Sequence, residues 1–211
     1  MIKVLIAAIL LTLLLSLTLL LTSQQFAQAY NLNGKSWAEP IATIALPASL
    51  SDKKIKNRIR YIAIQFRRNV PFKVRTEVLD GAFASTLDAI YYATDTDSIV
   101  ILYAPGEDFG LGNRVANASF ITSQGGTLVH GGVIRINDIR LKQVAGDTSN
   151  GRGLNYLSNV IGHEVGHLYG LDHSTPGTKP VPIMTSSGKF SNRKRLGLAI
   201  DDKKGLREVY K

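Results

Sequence analysis

The chain has 211 residues, a length that suits one globular domain plus an export segment. Hydrophobic residues make up 45% of it, enough to bury a real core, so a disordered or fibrous chain is excluded. The net charge is +9 and there is no cysteine, which removes disulfides and every cysteine-based mechanism.

In chain order, the first thirty residues stand apart. Lys3 gives a short basic start, Val4 to Leu21 is apolar except at Thr12, Ser16 and Thr18, and Thr22 to Gln25 lead into Ala27-Gln28-Ala29. Small residues at Ala27 and Ala29 are what a signal peptidase accepts. Residues 1–29 are therefore expected to be a signal peptide, and 30–211 a secreted, extracellular domain. The competing reading is an uncleaved anchor, since an apolar run of this length nearly spans a bilayer. A membrane would then be met only through that segment.

Residues 30 to 36 read as a flexible lead-in. Ile41 to Leu46 reads as a short strand ended by Pro47, and Ser51 as the cap of a helix reaching about Arg68, whose stripe is Ile55, Ile59, Ile62 and Phe66. Phe72, Val74, Thr76 and Val78 alternate with polar residues, as in a half-buried strand. Residues 82 to 94 lean towards a short helix. Ser98 to Ala104 (SIVILYA) is an apolar run that fits a strand buried on both faces. After a Gly-rich loop at Phe109 to Asn113, Val115 to Thr122 and Leu128 to Asp138 read as two further strands. Leu154 to Gly170 is a helix with Leu157, Val160, Ile161, Val165 and Leu168 on its core face. A loop with Pro176, Gly177, Pro180 and Pro182 follows. The last helix covers about Leu198 to Tyr210, with Asp201 and Asp202 in the first turn, where they suit the helix dipole. Strands interleaved with helices indicate an α/β or α+β layered domain with a mixed sheet.

The basic excess sits in Lys53 to Arg68 and in Lys189 to Lys211. Such surfaces attract nucleic acid, anionic lipid or acidic substrates. Export argues against nucleic acid, and a solvated, solubilising face is the first reading.

The stretch His163-Glu164-Val165-Gly166-His167-Leu168-Tyr169-Gly170-Leu171-Asp172-His173 carries the chemistry. Residues four apart share a helix face, so His163 and His167 can offer their imidazole nitrogens to one ion at about 2.0–2.1 Å. Glu164 is rotated about 100° from His163. It stays outside the same shell, yet close enough to take a proton from an activated water as general base. Gly170 ends the helix, because only glycine enters the left-handed conformation without steric cost, and the turn returns His173 as a third ligand. Three protein ligands with one position open suit a single catalytic zinc ion. The sole histidine outside the motif, His130, reads as a structural or merely exposed residue.

The pattern resembles that of the metzincin clan of zinc proteases. The clan places a methionine turn beneath the metal, and Met184, in Val181-Pro182-Ile183-Met184, matches it. Within the clan the sequence is most similar to the matrixins. Ser174 follows the third histidine, Ala104-Pro105-Gly106-Glu107 follows an apolar strand, Trp37 to Leu46 looks like the family's opening strand, and Leu198 to Tyr210, with Asp201-Asp202, looks like its C-terminal helix. Cysteine-bearing archaeal-type metzincins are a poor match.

The resemblance implies an α+β zincin fold: a twisted five-stranded mixed sheet with three helices, an upper subdomain over 36–173 and a lower one over 174–211. It implies an edge strand near Val115 to Ile121 that pairs with extended protein or peptide substrates, a pocket wall from about Pro182 to Phe190, and a monomer. The chain departs from the family in having no propeptide cysteine, no histidine-rich structural zinc site, and Thr185-Ser186-Ser187 after Met184. A calcium site in a loop such as Glu107 to Asn113 stays open, without assigned ligands. The expected activity is that of a zinc-dependent endopeptidase. The alternatives are a narrow-specificity processing protease and a non-proteolytic zinc-dependent surface binding protein. Glu164 weighs against the last, since a site kept only to bind zinc needs no carboxylate there.

Overall fold

The structure, a computed structural model, describes residues 30–47, 52–79, 83, 85–104, 114–123, 125–146, 151–175, 181–185 and 197–211. The expected signal peptide, the Gly-rich loop, the candidate calcium loop and the pocket wall beyond Thr185 lie outside these residues. Among the described residues no helix is long and apolar enough to cross a membrane.

The order of elements is β1 (Asn31–Leu32), β2 (Ser36–Trp37), β3 (Ile41–Leu46), α1 (Lys53–Arg67), β4 (Lys73–Val78), α2 (Thr86–Thr96), β5 (Ser98–Ala104), β6 (Ala116–Thr122), β7 (Leu128–Asn137), α3 (Asp138–Ala145), α4 (Gly151–Leu168), β8 (Leu171–Asp172) and α5 (Ile200–Val209). The main sheet runs β4-β3-β5-β7 in parallel, with β6 antiparallel on the far side of β7. These are the five strands of the expected mixed sheet. The two-residue β2 extends it as a sixth, pairing with the start of β7.

Alternation along the central strands builds three layers. Ile44 and Leu46 of β3, Ile99 and Ile101 of β5, and Ile134 and Ile136 of β7 join the core shared with α1 and α4. Their neighbours Ala45, Val100, Leu102 and Val133 face the other way, onto Ala89 and Ala93 of α2. A strand covered on both faces can be apolar at every position, and β5 is buried from Ile99 through Leu102. The α1 stripe is buried as its spacing requires, at Ile55, Ile59, Ile62 and Phe66.

Several boundaries differ from the sequence expectation. The α1 cap is Asp52 rather than Ser51; its carboxylate accepts from the N–H groups of Lys54 at 2.7 Å and Ile55 at 3.4 Å. The opening strand is broken into β2 and β3 around Pro40, which lacks an N–H. The 82–94 segment resolves as α2, capped by Ser85. β7 stops at Asn137, whose side chain accepts from Arg140 N–H at 2.9 Å and starts the unanticipated α3. There are thus five helices among the described residues rather than three. The lead-in is ordered: β1 pairs antiparallel with β8, Asn31 opposite Asp172, and Asn33 N–H donates to Gly170 O at 3.0 Å.

Candidate metal centre

The helix α4 carries the motif across the floor of a cleft. Tyr156, Val160, His163, Glu164 and His167 recur at helical spacing on the face turned to it. The opposite wall is Arg114 to Ala118 and Phe120, on and before the edge strand β6, and Asn33, Asp172, His173 and Thr185 close one end.

His163 is 6% exposed, and its Nδ1–H donates to Ile183 O at 2.8 Å. In His167 the Nδ1–H donates to Leu171 O at 2.9 Å. A carbonyl can only accept, so both rings carry their proton on Nδ1 and turn a bare Nε2 into the cleft. Burial, the main cause, pushes His167 below the ordinary imidazole pKa, which keeps it neutral, as a metal ligand must be. The two Nε2 atoms are 3.1 Å apart. Two nitrogens on a tetrahedral ion with bonds of about 2.0–2.1 Å lie roughly 3.3 Å apart, so facing lone pairs at this distance suit a shared cation.

His173 completes the cluster. Its ring centre is 5.2 Å from that of His163 and 4.9 Å from that of His167, and one nitrogen of each ring lies within 4.8 Å of the others. Unlike the helix pair, His173 is exposed. Its placement comes from the backbone. Gly170 sits at φ +97°, where Lys35 O and the Val209 methyls fill the space a side chain would need. Asn31 Nδ2 donates to His173 O at 2.7 Å, and Asn33 Nδ2 donates to His167 O at 2.8 Å and Leu171 O at 3.2 Å. Three imidazole nitrogens open to a cleft fit zinc; calcium would call for an oxygen cage.

Met184 lies beneath the helix. At Gly166 a Cβ would collide with its sulfur, so the close approach depends on glycine. The turn is tied down from below. The Asp202 carboxylate accepts from Ile183 N–H at 2.8 Å, Met184 N–H at 3.4 Å and Ala199 N–H at 2.7 Å. Ser174 N–H donates to Met184 O at 2.8 Å, joining the segment after His173 to the same turn.

Glu164 is 8% exposed. Burial raises its pKa to about 7, against the opposing pull of the Ala118 N–H and the Arg114 charge. Three cleft residues were not anticipated. Tyr156 could have been found, since it stands two turns before His163 on the same stripe. Arg114 and Asn33 carried no local signal.

The Matrixin family model matches residues 48–211. No curated protein matches the chain. Among solved structures it is similar to archaemetzincin from Methanopyrus kandleri, 15% identical, with 84% of this chain and 96% of that chain covered and a TM-score of 0.45.

Proposed function

This chain belongs to the matrixin family and is a zinc metallopeptidase, and from that premise we propose that it is a secreted endopeptidase in which His163, His167 and His173 hold the zinc and Glu164 is the general base. The observation that carries this reading is a carboxyl group buried in the cleft beside two inward-facing imidazole nitrogens, with a pKa of about 7.

When bound, zinc supplies Lewis-acid activation of water and polarisation of the scissile carbonyl. The chain's own residues do the rest. Glu164 takes a proton from the attacking water and returns it to the leaving amine; a carboxyl near neutrality is suited to both halves of that transfer. Burial sets how readily Glu164 accepts, and the Ala118 N–H and the Arg114 charge temper it. Among the described residues β6 pairs only with β7. Its other edge is left to receive an extended peptide through main-chain hydrogen bonds, laying it along the cleft above α4. Export through cleavage after Ala29 would leave the β1 strap at the start of the mature chain, where N-terminal sequencing of secreted protein would read Tyr30 first.

Glu164→Ala is expected to keep zinc content and fold while peptide hydrolysis falls by about two orders of magnitude or more. Casein or peptide-library digestion, run beside metal analysis of both proteins, checks this. Undiminished turnover in the variant would remove Glu164 from the mechanism.

A further inference from the structure

We propose that Glu39, Asp97 and His130 form a second divalent-metal site, of zinc type, which fastens the chain after β2 to the two central strands. The three side chains present one ligand atom each within 4.8 Å of one another, the same convergence shown by the histidine triad, with which they share no residue. They come from three separate parts of the fold. Glu39 follows β2, Asp97 joins α2 to β5, and His130 lies in β7. The His130 ring nitrogen Nδ1 and Glu39 Oε1 are 2.8 Å apart, and the two side chains are about one-third exposed, at 33% and 30%.

Charge argues for a cation here. Two carboxylates converge here, the imidazole is bonded to Glu39, and among the described residues no lysine or arginine pairs with either carboxylate. One imidazole cannot balance two carboxylates. Asp97 is kept in place by its backbone: it is the one non-glycine residue at positive φ (49°) among those described, and its N–H caps α2 by donating to Ala93 O.

The donor set selects the ion. One imidazole nitrogen and two carboxylate oxygens, with solvent free to fill the remaining positions, suit zinc or a similar transition ion. Calcium would want six to eight oxygens, roughly, and gains little from an imidazole. The site is also unlike the histidine-rich structural zinc site of vertebrate matrixins, since it has a single histidine. An ion there would pin the segment that leads back to Asn33 and Asn31.

The test is zinc stoichiometry of the full chain after equilibrium dialysis, which reads this site apart from the catalytic reading. Wild type should hold about two zinc ions per chain. His163→Ala with His167→Ala should leave about one, and adding His130→Ala should leave none. In that double variant zinc, but not calcium, should raise the melting temperature by a few degrees. His130→Ala alone should lose about one ion while kcat/KM stays within about twofold, because no ligand of the cleft has changed. Should the double variant not fold, Glu39→Gln with Asp97→Asn in the wild-type background decides: a fall from about two ions to one supports the site. One ion in wild type, two retained without His130, or equal stabilisation by calcium overturns it.

Discussion

The two helix-borne imidazoles and the third, on the returning loop, are held in different ways. His163 and His167 are fixed by their rings: each is set in a helix, largely removed from solvent, with Nδ1 donating to a carbonyl. His173 is exposed, and what fixes it is main chain, through Gly170, β8 and the asparagines of the β1 strap. The helix pair is thus prepared by packing, which needs the floor beneath α4. The third imidazole is prepared by a strap from the other end of the chain. Damage to the floor should cost stability and metal together, whereas damage to the strap should cost metal affinity with little loss of stability.

The largest effect is expected at the floor. Asp202 is buried and accepts three backbone N–H groups, two of them in the turn whose Ile183 carbonyl holds His163. Asp202→Ala would leave those donors without their acceptor, at about 1–3 kcal/mol for each one left buried and unpaired. A loss of about 3 kcal/mol in urea unfolding is expected, together with weaker zinc binding. Loss of stability without loss of zinc affinity would show that the ring of His163 does not depend on the turn.

A second effect separates the acid on the helix from its imidazoles. The Glu164 pKa is raised in the folded chain, to about 7 from an ordinary value of 4.5. A raised carboxyl favours folding while protonated, so its contribution is full below about pH 4.5 and is lost as pH rises through about 7. Glu164→Gln stays neutral throughout. In the metal-free protein the variant should match wild type near pH 4 and exceed it near pH 8 by on the order of 3 kcal/mol. Denaturant melts of the chelated proteins at the two pH values measure the gap; a constant difference would mean that the carboxyl is solvated in the metal-free chain.

The same division explains what the sequence discloses. His163, Glu164, His167, Gly170 and His173 lie within eleven consecutive residues, so spacing alone brings them onto one face and around one bend. The core stripes of α1 and β5 were legible for the same reason: periodicity is local. Residues 30–36 have no period, and the partners of Asn31 and Asn33 lie 134 to 142 residues away, so nothing nearby marked them as a strap. α3 was missed because only Leu141 of its eight residues is buried, which leaves no stripe to detect, although Asn137 followed by Asp138 was a readable cap. Glu39, Asp97 and His130 each sit in a different segment, and only the strand order brings them together.

The smallest effects belong to the strap, and they are the most discriminating. Asn33 Nδ2 donates to the carbonyls of His167 and Leu171, the first in the last turn of α4 and the second the acceptor for the His167 ring. Removing such a support to a metal ligand typically weakens metal binding by about 10–100-fold. Asn33→Ala has only backbone bonds to lose, and the ring of His167 keeps its own partner, so the lower end, about tenfold, is expected in chelator competition. Asn31→Ala loses one bond on the exposed His173 carbonyl, and about a threefold change should follow, the size of a single net hydrogen bond. With zinc saturating, both variants should recover kcat to within about twofold, because Glu164 and the β6 wall are untouched. A kcat that stays low at saturating zinc would mean that the strap orients His173 for turnover as well as for binding, and the return half of the centre would then be as much a part of the catalytic geometry as the helix.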